Sequence, residues 1–210
     1  SELNKESEEE AEKRIHFRPS DLDIGPDGAI YIADWHDERS GGHSTQDESA
    51  SGAIYRIAPK NFKPVIPSLD LKNVEGAIAA LKSPNPAVRF LGFQALKKFG
   101  NAALPSVEKL IDHQNPYIAA RAIWLLPHLG KDGKKKAVEL LNSSNRNHRL
   151  VAYRSLRRVG ENMVPHAKKM AKDSDTGIRR DVALSLRSIP FEKSKDLFVD
   201  LAKGYDGKDK

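Results

Sequence analysis

Apolar residues return at a fixed interval through most of this chain. Set one above another, NPAVRFLGFQALKKFG from Asn85, NPYIAARAIWLLPHLG from Asn115, NRNHRLVAYRSLRRVG from Asn145 and DTGIRRDVALSLRSIP from Asp175 repeat with a period of 30 residues. Leu96, Leu126, Leu156 and Leu186 share one slot, and Phe99, Leu129, Val159 and Ile189 share another three residues on. That spacing puts both slots on one helical face. Asn85, Asn115, Asn145 and Asp175 stand where a side-chain oxygen can cap the free amides of a helix start. Gly100, Gly130 and Gly160 stand where the chain must reverse at positive φ.

A second apolar set lies between these helices: Val74, Ala77, Ile78 and Leu81, then Leu104, Val107 and Ile111, then Val138 and Leu141, then Val164, Ala167 and Met170, then Leu197, Phe198 and Leu201. The repeating unit is therefore predicted to be a helical hairpin. One hairpin cannot cover its own apolar stripe, so stacked neighbours bury a continuous core as an α-solenoid. AVRFLGFQAL and GIRRDVALSL, in the second helix of a hairpin, resemble HEAT repeats of the short bacterial kind. The expected fold is mainly α, with a HEAT-like solenoid over residues 71–210. Tyr205 and Asp206 fall where a fifth second helix would begin, so the last hairpin is expected to be completed beyond Lys210. His148 interrupts the pattern, standing in the slot of Val88, Ile118 and Ile178. It reads either as a ligand-facing or pH-sensitive group or as a histidine accommodated at a helix start.

Before the solenoid the period changes to two. DLDI and AIYIAD flank Pro26, Asp27 and Gly28 as a β-hairpin, and AIYRIAP from Ala53 supplies a third strand after the Ser- and Gly-rich loop ERSGGHSTQDESASG. The expected organisation is a charged segment over 1–16, strands within 17–60, a linker over 61–70, then the solenoid. Three strands make most of one propeller blade, which gains its stability from radial packing against neighbouring blades.

Charge divides along the same line. The net charge is +6, yet residues 1–60 carry 7 basic and 14 acidic side chains, leaving 28 basic and 15 acidic beyond them. Positive potential on the second part suits nucleic acid, an anionic surface or an acidic protein. No stretch approaches the roughly 20 apolar residues of a membrane span, and the absence of cysteine excludes disulfides, thiolate zinc sites and covalent haem attachment within these residues. No GxGxxG, Walker loop, HExxH or GxSxG occurs.

PSDLDIGPDGAIYIADWHD, followed by GGH and GAIYRIAPK, resembles the closing blade of quinoprotein-like sugar dehydrogenase propellers. A blade of that kind running into HEAT-like repeats resembles the membrane-bound dehydrogenase family of large exported bacterial proteins, in which a c-type cytochrome domain follows. The resemblance covers almost all residues after about 16 and makes this chain the propeller-to-HEAT junction. It implies an exported or periplasmic setting, sugar or alcohol oxidation in a full propeller with a quinone there, and haem c on a domain outside this chain.

Candidate chemistry follows from these two parts. Asp34, His36 and Asp37, with Trp35 between them, form the densest polar cluster near a strand end, and His43 in the GGH turn can join them; carboxylates beside a histidine make a general base or a hard-cation site. The contrary reading packs Trp35 between blades and spends the aspartates on turn amides. Asp21 and Asp23 read as structural. In the solenoid Lys97, Lys98, Arg154, Arg157, Arg158, Lys168, Lys169 and Arg180 are partner-binding candidates, several of them in corresponding places of successive repeats. Arg89, Arg149 and Arg179 recur at one position, which suggests bonds to carbonyls or carboxylates of an adjacent hairpin. Trp124 reads as core, and Lys134, Lys135 and Lys136 as a solvated helix start. The leading expectation is a non-catalytic binding and spacing scaffold within a larger redox protein, its partners being protein or other domains of the parent chain, with no cofactor of its own. The alternatives are part of a sugar-oxidising propeller site and a basic module that binds nucleic acid.

Overall fold

The computed structural model describes residues 19–35, 52–63, 68–205 and 207. They divide into two compact units, one from the described residues of 1–68 with Ser83–Val88, the other from Leu69–Lys82 with Arg89 onward.

In the first unit β1 (Pro19–Ile24), β2 (Ile30–Asp34) and β3 (Ala53–Ile57) form an antiparallel sheet in chain order. The alternation in DLDI, AIYIAD and AIYRI predicts these three strands. Ile30 lies opposite Ile24 on one side and Ile57 on the other. Asp27 organises the β1–β2 turn. Its Oδ1 accepts from the Ala29 amide at 3.1 Å, and its Oδ2 accepts from the Tyr31 hydroxyl at 3.1 Å and from Arg56 Nη2 at 2.7 Å. Arg56 in turn lies over the Phe62 ring. One carboxylate thus ties the turn to the third strand. Leu22, Ile54, Tyr55 and Ile57 nevertheless remain exposed. Asp21 and Asp23 each accept from the next residue's amide, at 2.8 and 2.7 Å.

The second unit is a stack of helical hairpins. α1 (Val74–Lys82) pairs with α2 (Pro86–Phe99), α3 (Leu104–Glu108) with α4 (Pro116–Leu125), α5 (Lys131–Glu139) with α6 (Arg146–Arg158), and α7 (Met163–Met170) with α8 (Thr176–Leu186). α9 (Phe191–Lys203) follows in the position of a first helix. The shared leucine slot is the spine: Leu96, Leu126, Leu156 and Leu186 are all buried. Of the second slot only Leu129 is fully buried; Phe99, Val159 and Ile189 are half-buried. A third slot holds Gly92, Ala122, Ala152 and Val182, all buried, where small side chains let helices approach closely.

The helix ends follow from local chemistry. Asn115 and Asn145 accept from amides two residues on, at 2.9 Å each, and Asp175 accepts from the Ile178 amide at 3.0 Å. Gly100, Gly130 and Gly160 have φ of 57°, 97° and 75°, the left-handed region that glycine enters without steric penalty. α4 gives way to a 3₁₀ turn at Leu126–His128, because Pro127 has no amide to continue the α-helical ladder. Two residues before each cap stands another acceptor: Ser83 Oγ, His113 Nδ1, Ser143 Oγ and Asp173 Oδ1 each receive the cap residue's own amide at 2.9–3.2 Å. Ser, His, Ser and Asp have in common only a lone pair at the right reach, so residue type alone conceals this recurrence.

The third and fourth hairpins are also joined by polar side chains. Arg149 forks onto Asp173 with two bonds of 2.8 Å, and its Nη1 reaches back to the Ser143 and Ser144 carbonyls. Arg179 holds the Asp173 and Ser174 carbonyls in the same way. Arg149 and Arg179 therefore each clasp the turn before their own helix, and Arg149 takes the next hairpin's carboxylate as well. Arg146 pairs with Asp175, and Arg154 with Asp181 at 2.6 Å. The Tyr153 hydroxyl meets Ser185 Oγ at 2.7 Å in full burial.

Candidate interaction surface

Two places invite chemistry, and they differ in what the structure brings together. Asp34 closes β2 and is buried at the end of the sheet, while Trp35 beside it is exposed. His36, Asp37 and His43 lie outside the described residues. The structure therefore places one member of that candidate cluster. Among the described residues no three His, Asp or Glu side chains gather as a metal-binding group, and no helix is long and apolar enough to cross a membrane.

The basic candidates separate by layer. Lys97, Lys98, Arg154, Arg157, Arg158 and Arg180 sit on second helices, whereas Lys168 and Lys169 sit on α7, a first helix. Lys169 bonds the Asn142 carboxamide, and Arg154 is spent on Asp181. Lys134 of the lysine run pairs with Glu161 at 2.7 Å. The layers differ in charge as well as place. The helices α2, α4, α6 and α8 hold eleven Arg or Lys side chains and a single acidic one, Asp181, which is 4 % exposed and neutralised by Arg154. The first helices mix seven acidic with ten basic side chains. The excess positive charge of the solenoid thus has a direction.

Apolar groups interrupt the cationic layer. Phe90, Leu91 and Leu184 are exposed. Trp124, expected in the core, is instead half-buried in the outward slot of Gln94, Arg154 and Leu184, two positions before the leucine spine. His128 packs edge-on against Phe93 at 5.3 Å, and burial together with the charge of Lys97 lowers its pKa below the ordinary histidine value. It is therefore neutral near pH 7 and adds nothing to the cations. Arg121 donates to the Leu81 carbonyl at 3.1 Å, its pKa lowered by burial and then by Arg89.

His148 is buried in its slot, with Nδ1 3.4 Å from Ser143 Oγ and 4.0 Å from Asp112 Oδ1. It lines a cavity of about 230 Å³ with Asp112, His113, Gln114, Asn145 and Asn147. Ala119, Ile123 and Val151 also line it, so the departure from the apolar pattern marks a recess of mixed polar and apolar character at the start of α6.

Helical hairpins stacked on a leucine spine, with repeated caps and arginine clasps, define an α-solenoid scaffold. The family model for HEAT repeats matches residues 105–187, which span the hairpins α3–α4 and α5–α6 and reach through α8. No curated protein matches the chain. The solenoid is HEAT-like, a helical-repeat scaffold of the kind that mediates protein interaction.

Proposed function

We propose that this chain is a non-catalytic binding and spacing segment of a larger redox protein, at the junction between a quinoprotein-like propeller and HEAT-like repeats. The observation that carries the reading is the uncovered sheet. Leu22 of β1 and Ile54, Tyr55 and Ile57 of β3 are exposed in a three-stranded sheet that the sequence likens to a closing blade, and a blade needs apolar neighbours on its faces. The solenoid's continuous core supplies the other half of the reading, since a stiff helical stack fixes the separation of whatever it joins. Under this reading the chain binds no cofactor itself, and haem c and a quinone belong to neighbouring domains of the parent protein. Asp34, His36, Asp37 and His43 then act only within a complete propeller, in a longer exported chain.

A haem-stained gel with intact mass on the protein from its natural source tests the proposal. A much heavier, haem-positive polypeptide containing these residues is the expected result. A haem-negative product of about this length would remove the redox part and leave an independent binding scaffold.

A further inference from the structure

We propose that the second-helix layer of the solenoid binds an acidic protein segment carrying apolar side chains. The inference rests on reading the repeats as a binding scaffold and names the chemistry of what they bind. Arg146, Arg149, Arg154, Arg121 and Arg179 are engaged within the fold, by carboxylates or by backbone carbonyls. Lys97, Lys98, Arg157, Arg158, Arg180 and Arg187 have no ion pair or side-chain hydrogen bond among the described residues. Lys97, Arg157 and Arg187 share one repeat slot, and Lys98 and Arg158 share the next. Stacked hairpins present equivalent slots in register, so these cations line α2, α6 and the end of α8, while Pro127 and His128 hold the same slots after α4.

No exposed carboxylate on the same helices competes with them. Like charges gathered on one face repel one another, and an anionic ligand relieves that repulsion while gaining attraction to all of them.

The apolar groups decide between anions. Phe90 is 60 % exposed with the exposed Leu91 next to it, and Leu184, 55 % exposed, shares its repeat slot with the half-buried Trp124. Single-stranded nucleic acid gains its apolar contribution by stacking bases on aromatic rings. Phe90 and Trp124 offer such rings, but Leu91 and Leu184 do not, and against a sugar–phosphate backbone the leucines would stay uncovered. A polypeptide with leucine or phenylalanine between its carboxylates covers them and meets the cations with the same stretch of chain. The carboxylate suits the four free arginines, whose planar guanidinium accepts it with two parallel bonds.

Fluorescence anisotropy on the full 210-residue chain tests this. The probes are a labelled peptide of about 20 residues with Leu or Phe at every third or fourth position among Glu and Asp, an all-Glu peptide of the same length, and a single-stranded oligothymidylate of the same charge, at about 0.15 M salt. The mixed peptide is expected to bind at least about tenfold tighter than either control. Joint Leu91→Ala and Leu184→Ala substitution should weaken it by about tenfold, and joint Lys97→Glu, Arg157→Glu and Arg187→Glu by about a hundredfold or more. All five side chains are exposed or half-buried, and circular dichroism verifies that the variants stay folded. Lys135→Glu with Lys168→Glu, on the first-helix layer, should change nothing.

Tightest binding by the oligothymidylate would overturn the proposal in favour of nucleic acid. Loss of binding only in the Lys135→Glu and Lys168→Glu variant would move the site to the other layer and overturn it too, as would failure of all three probes to bind. None of these outcomes bears on the mass and haem content of the native protein, so the junction reading stands or falls separately.

Discussion

Replacing Ser185 with alanine strands a hydroxyl in the middle of the stack. Ser185 Oγ lies 2.6 Å from the Val182 carbonyl, which can only accept, so the serine proton goes there. Tyr153 must therefore donate to Ser185 Oγ across 2.7 Å. Tyr153 is 0 % exposed and Ser185 2 % exposed, so neither group can turn to water. Ser185→Ala leaves the tyrosine proton unpaired and should cost about 1–3 kcal/mol. Tyr153→Phe removes the donor but leaves Ser185 bonded to Val182, and should cost about 0.5–1.5 kcal/mol. In the double variant no hydroxyl is stranded, so its cost should resemble Tyr153→Phe alone and fall short of the sum of the two. Urea unfolding of the four proteins, followed by far-ultraviolet circular dichroism, measures the cycle. Additivity within about 0.5 kcal/mol would refute the assignment of donor and acceptor. Burial of the Tyr153 hydroxyl has a pH signature. Burial raises the Tyr153 pKa in the folded protein above its unfolded value, even though Ser185 and Arg157 pull it down. The corresponding stability is complete below pH about 10 and is lost as pH rises through the folded value. Tyr153→Phe should abolish that alkaline loss.

Three further outcomes are expected. Gly92→Ala should lower stability by about 1–3 kcal/mol in thermal unfolding, despite a better helix former, because its Cβ would lie 2.5 Å from the Leu81 nitrogen and 2.8 Å from the Ala77 oxygen. Asn115→Ala should cost about 1 kcal/mol in urea unfolding through loss of the Tyr117 amide's acceptor. Asp173 is raised by burial, but the Arg149 fork and the Asp175 amide outweigh that and hold its pKa below the ordinary carboxylate value. Its contribution is present above pH about 4 and lost as pH falls through the folded value, so Asp173→Asn should flatten the acid limb of a stability profile that the parent protein shows.

The 30-residue period carried much of the fold because spine, cap and glycine each depend on one residue's own chemistry. Leu126 must be buried and Asn145 can cap whatever lies beyond. Contacts between hairpins depend instead on the rotation and offset of one helix against another. For this reason Tyr153–Ser185, 32 residues apart and on different slots, left no mark in the pattern. Trp124 misled for a related reason: an apolar residue in an apolar run reads as core, yet its phase on the helix turns it partly outward. At the candidate surface the cations were legible singly. Their restriction to one layer emerges only once the strand of repeats is divided into first and second helices, which removes Lys168 and Lys169 from the set and spends Arg154 on Asp181.

The polar joints between the third and fourth hairpins give the stack a mechanical grain. A pulled solenoid yields hairpin by hairpin when each is held mainly by apolar contact, which slides and peels with little resistance. Each 30-residue hairpin released adds roughly 100 Å of extended chain. Arg149 on Asp173, Arg154 on Asp181 and Tyr153 on Ser185 resist that peeling at one interface. Under load the last two complete hairpins should therefore let go together, in a step of roughly 200 Å. A chain that spaces two domains would then have its stiffest joint between its third and fourth hairpins.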